Sequence, residues 1–211
     1  MGASTTAITS STGKYTSEFW ERLWRMSGIN FVAFAIVAAV VFGNQGSHTR
    51  AVIAAVIAGM SVLNLLWFAA AIRTALADAG QDDWGAAATA ASSAVGVLFL
   101  LLIAICTAQP LASGLNDFAW AGFVLSSFPR AMLIMAGTFG LWRAGLISRP
   151  LFAAGVAAVV LVLLGGTTWS SDGLWAPDGV YSRFVSPAVG MLWVVATSQV
   201  LARSPATRSG W

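Results

Sequence analysis

Charged residues are scarce in this chain, and this scarcity constrains the fold more than any other feature. The 211 residues include 11 Lys and Arg and 8 Asp and Glu, so 9% are charged, against roughly 25% in an ordinary soluble domain. A soluble globule needs a polar surface that so few charges cannot supply. The composition excludes a conventional cytosolic enzyme, a nucleic-acid-binding module and a disordered regulator. It predicts an integral membrane protein.

Six charge-poor windows each approach the roughly 20 residues that a helix needs to cross the hydrocarbon core. They comprise residues 27–43, 51–72, 86–108, 118–141, 150–168 and 184–202. We therefore predict an all-α fold, a polytopic transmembrane helix bundle with six spans, occupying residues 27–202. Residues 1–16 are expected to form a disordered N-terminal tail and residues 203–211 a C-terminal tail.

The positive charges predict the orientation of these spans. With six spans, both termini and the second and fourth loops share one side of the membrane. That side carries eight basic residues, Lys14, Arg22, Arg25, Arg73, Arg143, Arg149, Arg203 and Arg208. The other side carries only Arg50 and Arg183. Because basic loops stay in the cytoplasm, we expect both termini to be cytoplasmic. The arginine-rich, alanine-rich composition favours a bacterial cytoplasmic membrane.

Residues 17–26, SEFWERLWRM, precede the first window and combine apolar residues at helical spacing with charges on the remaining face. This pattern predicts an amphipathic helix at the membrane interface. Its simplest role is to anchor the first span. Docking of a protein partner to this helix is the alternative.

Arg130 is the one charge that falls within a span. An arginine at the centre of a membrane helix costs at least about 2.5–3.5 kcal/mol and normally faces the bundle interior or water. Pro129 beside it is expected to kink the helix and free a carbonyl for the guanidinium. The other expected neighbours are Asn64 and Asn30. Either these groups and water satisfy Arg130, or it binds an anionic or carbonyl-bearing ligand.

Aromatic residues within the spans and acids near the outer face form a second candidate site. Trp67, Phe128 and Trp193 are expected to line a cavity among the helices, together with Phe123 and Phe139. Aromatic faces stabilise cations, so such a cavity with one acid as proton donor suits carbocation chemistry of the terpene-cyclase type. The candidate catalytic acids are Asp117, Asp172 and Asp178.

Motifs for cofactors and metals are missing from the sequence. It contains one Cys, Cys106, and one His, His48, which cannot form a metal cluster or a disulfide within the chain. Neither a phosphate-binding Gly-rich loop nor a nucleophilic Ser with a usable His is present. No lysine lies in a predicted span, which excludes a retinal Schiff base. We expect no cofactor, no metal and no nucleic-acid partner.

Three stretches of the sequence resemble a group of small, uncharacterised multi-span membrane proteins of actinobacteria. They are FWERLWRMSGINFVAF (19–34), AMLIMAGTFGLWRAGLISRPLFAAG (131–155) and GGTTWSSDGLWAPDG (165–179). The resemblance covers most of the chain from about residue 17. It implies a six-span bundle and brings no assigned reaction.

Three functions are compatible with these features. The first is a bundle that binds or acts on a hydrophobic or amphiphilic small molecule, with terpene-cyclase-like catalysis as one form. The second is a transporter of a small amphiphile, in which Arg130 and Pro129 form a site within a broken helix. The third is a scaffold or accessory subunit without catalytic activity. Membrane lipid is an expected partner in all three, and a homodimer or a protein partner is compatible with each.

Overall fold

The computed structural model describes Trp24 and residues 26–43, 48–108 and 115–203, and in this part of the chain the fold is all-helical. The α-helices are α1 (Ser27–Gly43), α2 (His48–Asp78), α3 (Asp82–Ala108), α4 (Leu115–Leu125), α5 (Ser127–Arg143), α6 (Arg149–Gly165) and α7 (Ser186–Arg203). The predicted tail at 1–16, most of the predicted interfacial helix at 17–26 and residues 204–211 lie outside the described residues.

Four helical segments are long and apolar enough to cross a membrane: α2, α3, α4 with α5, and α7 with the turn before it. The helices α1 and α6 are also apolar but have 17 residues each. Seventeen residues rise about 25 Å, which is the lower limit for a span. The all-α architecture with membrane-compatible helices is therefore confirmed, and each predicted window overlaps a helix.

The helices are arranged in a ring that follows their order in the chain. Each helix from α1 to α3 packs on the next, α3 packs on both α4 and α5, α6 lies between α5 and α7, and α7 returns to α1. Short connections of three residues after α2 and five after α5 make successive helices antiparallel. We call the end where α2, α5 and α7 finish the Arg143 end, and the opposite end the Arg183 end.

Close helix packing surrounds Trp193 and continues towards the Arg143 end. Trp193 is 7% exposed, and its ring meets Phe68 edge to face, with the ring centroids 6.0 Å apart. Its Nε1 donates to Oγ1 of Thr138, 2.9 Å away. A Cβ on Gly155 would lie 2.5 Å from Cγ2 and Oγ1 of Thr138, so only glycine lets α6 approach α5 this closely.

The third of these membrane-compatible segments, which corresponds to the fourth predicted window, is interrupted at Ser126, between α4 and α5. Pro129 has no N–H to donate to the carbonyl of Leu125, and its ring crowds the preceding turn. The backbone resumes helical bonding at Arg130, whose N donates to the carbonyl of Ser126 at 3.1 Å. The interruption that Pro129 predicts is therefore present, and it lies next to Arg130.

Candidate functional site

A cavity of about 570 Å³ lies inside the ring, on the side of the Arg183 end. Its walls come from α1, α2, α3, the interrupted segment α4–α5 and the first turns of α7. The volume falls within the roughly 300–1,000 Å³ that small-molecule sites occupy. The wall is apolar except for four residues, Ser61, Cys106, Arg130 and Arg183. No acid is among the described residues that line it.

The cavity is elongated along the bundle axis. The buried side chains of Leu65, Val95 and Trp193 form its inner end, close to the middle of their helices. On α3 the lining extends from Val95 to Cys106, which is about 16 Å at 1.5 Å per residue. The long axis therefore leads from the middle of the bundle towards the Arg183 end.

The cavity reaches the surface between α1 and the start of α7. The exposed residues of its lining belong to α1, to the turn that precedes α7 and to the first turn of α7: Ile36, Ala39, Arg183, Phe184 and Ala188. Lining residues on α2, α3 and α5 are buried or half-buried. Nearer the Arg143 end, Gly28 on α1 fits against Ser198 and Val194 on α7. Among the described residues, the two helices thus meet at one end and leave a lateral gap at the other.

Arg130 is half-buried in the cavity wall and is held by the interrupted helix itself. Its Nε donates to the carbonyl of Ser126 at 3.2 Å. Its Nη2 donates to the carbonyl of Phe123 at 3.3 Å and to Oγ of Ser127 at 2.8 Å. The guanidinium also lies 4.8 Å from the centre of the Phe123 ring, a cation–π distance. Backbone carbonyls of the interrupted segment therefore receive the guanidinium, but that of Leu125, which Pro129 leaves without its helical donor, is not one of them.

These bonds occupy three of the five N–H groups that a guanidinium offers. The two on Nη1 have no acceptor among the residues that the structure describes. All three acceptors precede Arg130 in the chain, so the side chain points back along the helix towards the Arg183 end. Phe123 lies seven residues earlier, about 10 Å along a helix. The charge therefore sits nearer the Arg183 end than its Cα does.

A π-helical turn, Tyr181–Val185, positions Arg183 at the gap. The hydroxyl of Tyr181 donates to the carbonyl of Leu161 on α6 at 2.8 Å, and the hydroxyls of Ser182 and Thr168 share a hydrogen bond. These contacts fix one side of the turn to α6 and to the segment that follows it. Arg183 and Phe184 remain exposed, with the guanidinium 5.5 Å from the Phe184 ring centre. Single π-helical turns are frequent at functional sites.

Two of the six predicted ligand-binding residues, Arg130 and Trp193, line the cavity. The other four do not, and for Trp67, Phe128 and Asn64 the reason is the rotation of their helices. Trp67 is 51% exposed on the outer face of α2, and Phe128 is 50% exposed and packs against Gly166. Asn64 donates to the carbonyl of Met60 in its own helix at 2.8 Å. The expectations for Trp67 and Phe128 as cavity walls, and for Asn64 as a partner of Arg130, are corrected accordingly.

Asn30 and Phe139 also lie away from the cavity lining. Asn30 is half-buried in the first turn of α1, and its backbone N donates to the carbonyl of Met26 at 3.2 Å. Because α1 begins beside Ser198, Asn30 belongs to the other end of α1 from the gap. Phe139 stacks on Trp84, with ring centroids 5.8 Å apart, near the Arg143 end.

The three candidate catalytic acids lie outside the cavity. Asp117 is exposed in the first turn of α4, and Asp172 and Asp178 are exposed in the segment between α6 and α7. A proton donor for carbocation chemistry has to reach the substrate inside the cavity, and these side chains do not line it. Among the described residues, no three His, Cys, Asp or Glu side chains come together in a set that could hold a metal.

Many residues of the cavity wall are not predictable from the sequence. The aromatic residues Phe31, Phe42 and Phe99 line it, but every predicted span contains apolar side chains on all faces, so hydropathy does not show which face is inward. Arg183 is visible in the sequence only as an outer charge. Its place in the cavity depends on the π-helical turn. No protein family, curated protein or solved structure matches this chain.

Proposed function

We propose that this chain is an integral membrane protein with six spans that takes a hydrophobic or amphiphilic small molecule from the bilayer into its cavity. The observation that carries the proposal is the cavity itself, which is apolar, elongated and open to the side between α1 and α7. A lateral gap suits a ligand that is dissolved in lipid, because such a ligand reaches the site without crossing water.

The two short helices complete the six spans of this proposal. Gly165 at the end of α6 lies beside Ser127 and Ser186, so α6 accompanies α5 along its whole length. Gly28 of α1 lies beside Phe68 of α2. Phe68 is five residues before Arg73, so the start of α1 lies only about 7 Å along the helix axis from the level of Arg73. Both helices thus cover most of the thickness that their longer neighbours cover.

The orientation of the proposal follows from the charges at the two ends. Arg73, Arg143, Arg149 and Arg203 lie at the Arg143 end. The positive-inside rule assigns this end to the cytoplasm, with both termini on the same side. The cavity and its lateral gap then lie in the outer half of a bacterial cytoplasmic membrane.

Of the functions that the sequence allows, the cavity wall favours binding over carbocation catalysis and over a scaffold role. Carbocation catalysis would need an acid in the cavity wall, and none is among the described residues of that wall. A scaffold has no need of a large open cavity, because well-packed interiors contain few voids larger than a water molecule. Transport of a small amphiphile remains compatible with the interruption at Ser126, and it would use the same cavity as its binding site.

Two glycines provide a matched test of the proposal. Gly190 on α7 lines the cavity, and a Cβ built on it meets no atom within 4 Å. Gly59 on α2 also has open space at this position but does not line the cavity. Substitution by Phe should therefore be tolerated at both sites, and only Gly190→Phe should obstruct the cavity.

The measurement is native mass spectrometry of the full-length protein purified in mild detergent and titrated with dodecanol. The wild type and Gly59→Phe are expected to retain dodecanol equally, and Gly190→Phe at least tenfold less. Equal retention by both variants would contradict binding in this cavity. Failure of the wild type to retain dodecanol or any co-purifying small molecule would favour the scaffold.

A further inference from the structure

We infer that the molecule bound in the cavity is an anionic amphiphile, with one hydrocarbon chain and a carboxylate or phosphate head group held by Arg130 and Arg183. This inference rests on the proposed function. It adds the charge of the ligand, the orientation in which it lies and the residues that recognise it.

The charge of the cavity wall favours an anion. Arg130 and Arg183 are the charged residues in the described lining, and neither is accompanied there by an acid. The rest of the wall is apolar, apart from one hydroxyl and one thiol. In surroundings of low dielectric constant, two positive charges attract an anion strongly and disfavour a cation.

The side chain of Arg130 is held in place before a ligand binds. Three hydrogen bonds to Phe123, Ser126 and Ser127 fix the guanidinium, so little side-chain entropy is lost when a ligand binds. The two N–H groups of Nη1, which have no acceptor among the described residues, can donate to an oxyanion, and hydrogen bonds between charged partners are the stronger kind. A neutral head group would gain less from the same donors.

The positions of the two arginines also set the orientation of the ligand. Arg183 is in the π-helical turn at the gap, and the side chain of Arg130 points towards the same end. The opposite end of the cavity is formed by buried apolar residues, among them Leu65, Val95 and Trp193. The head group therefore lies towards the Arg183 end and the chain extends to the middle of the bundle.

Cys106 provides a specific probe of occupancy, because it is the single cysteine of the chain and lines the cavity. We would measure its rate of modification by N-ethylmaleimide in the full-length protein, in nanodiscs of phosphatidylcholine. Four ligands share a twelve-carbon chain: dodecanoate, dodecyl phosphate, dodecanol and dodecyltrimethylammonium. The control is a double variant, Cys106→Ser with Ala104→Cys, which moves the thiol to an exposed position of α3. Its modification rate shows the effect that each ligand has merely by accumulating in the bilayer.

Dodecanoate, dodecyl phosphate or both are expected to protect Cys106 at concentrations at least tenfold lower than dodecanol does, and the cation should not protect. The ratio between the two anions distinguishes a carboxylate ligand from a phosphate ligand. Arg183→Gln and Arg130→Gln should each reduce the preference for the anions about tenfold. Arg149→Gln, at the other end of the bundle, should leave it unchanged.

Arg183→Glu is expected to fold normally, because Arg183 is exposed. A change in its ligand preference therefore reports on binding and not on misfolding. This variant should lose protection by the anions and gain protection by the cation. Equal protection by dodecanol and the anions, or a preference unaffected by substitution of either arginine, would overturn the head-group assignment and leave the binding cavity standing. Protection by none of the four ligands would overturn both the assignment and the proposed function.

Discussion

The two ends of the helix ring are built from similar residues but are packed in opposite ways. Towards the Arg143 end, glycines bring the helices together, and a Cβ on Gly140 would lie 2.7 Å from Leu76 and 2.9 Å from Trp84. Towards the Arg183 end, Gly190 on α7 faces open space beside the cavity, whereas on the α6 side Gly165 still fits closely against Ser186. Glycine therefore brings helices together at the Arg143 end and around α6, and at Gly190 it leaves space beside the cavity.

The difference shows how one small bundle can combine a rigid part with a binding site. In lipid, helix association depends on close packing and hydrogen bonds, because burial of apolar groups brings no gain. The Arg143 end supplies this association through glycine contacts and the bond from Trp193 to Thr138. At the Arg183 end, the contacts of Tyr181 and Ser182 with α6 and the segment after it hold the start of α7 beside the cavity.

The largest effect on stability is expected from Gly155→Ala, and Gly190→Ala is its counterpart on the cavity side. In Gly155→Ala, the new Cβ collides with both γ atoms of Thr138, which is branched and cannot turn away without losing its bond to Trp193. Overpacking of this kind costs about 1–3 kcal/mol. Gly190→Ala meets no atom and should stabilise the helix by about 0.5–1 kcal/mol. Unfolding by SDS in mixed micelles measures both, and equal effects would contradict the comparison.

A smaller effect is expected from Thr138→Val. The side chain keeps its shape, but Nε1 of the buried Trp193 loses its acceptor. The cost should be about 1–2 kcal/mol, because an unpaired buried donor costs more than the lost bond and hydrogen bonds within membranes reach about 1.7 kcal/mol. Thr138→Ser retains the hydroxyl and is the control. A valine variant at least as stable as the serine variant would show that this bond does not hold the Arg143 end together.

The smallest effect is expected from Tyr181→Phe, at the Arg183 end. The hydroxyl that donates to Leu161 is removed while the ring remains packed on Trp175, with centroids 4.6 Å apart. The loss should be about 0.5–1 kcal/mol, the usual contribution of one such bond. Hydrogen exchange should rise in the π-helical turn and stay unchanged in α5. An increase in α5 as well would mean that the two ends are not independent.

The sequence predicts the helices well because their signal is local. Few charges, six apolar windows and the turn residues between them are enough to place α1 to α7, and Pro129 is enough to interrupt the fourth window. Arg130 also follows from the sequence, because a charge among apolar residues has few acceptable surroundings. Its partners are carbonyls in its own segment, so they too depend on local structure.

The inward faces of the helices were decided only by the tertiary structure. Trp67 and Trp193 both lie deep in apolar windows, yet one is 51% exposed and the other 7%. Lipid and protein interior are both apolar, so hydrophobic periodicity does not distinguish them. What decides is the fit of side chains between helices, such as Gly155 against Thr138. The cavity, its lateral gap and the place of Arg183 in its wall arise from that fit, since residues far apart in the chain create them together.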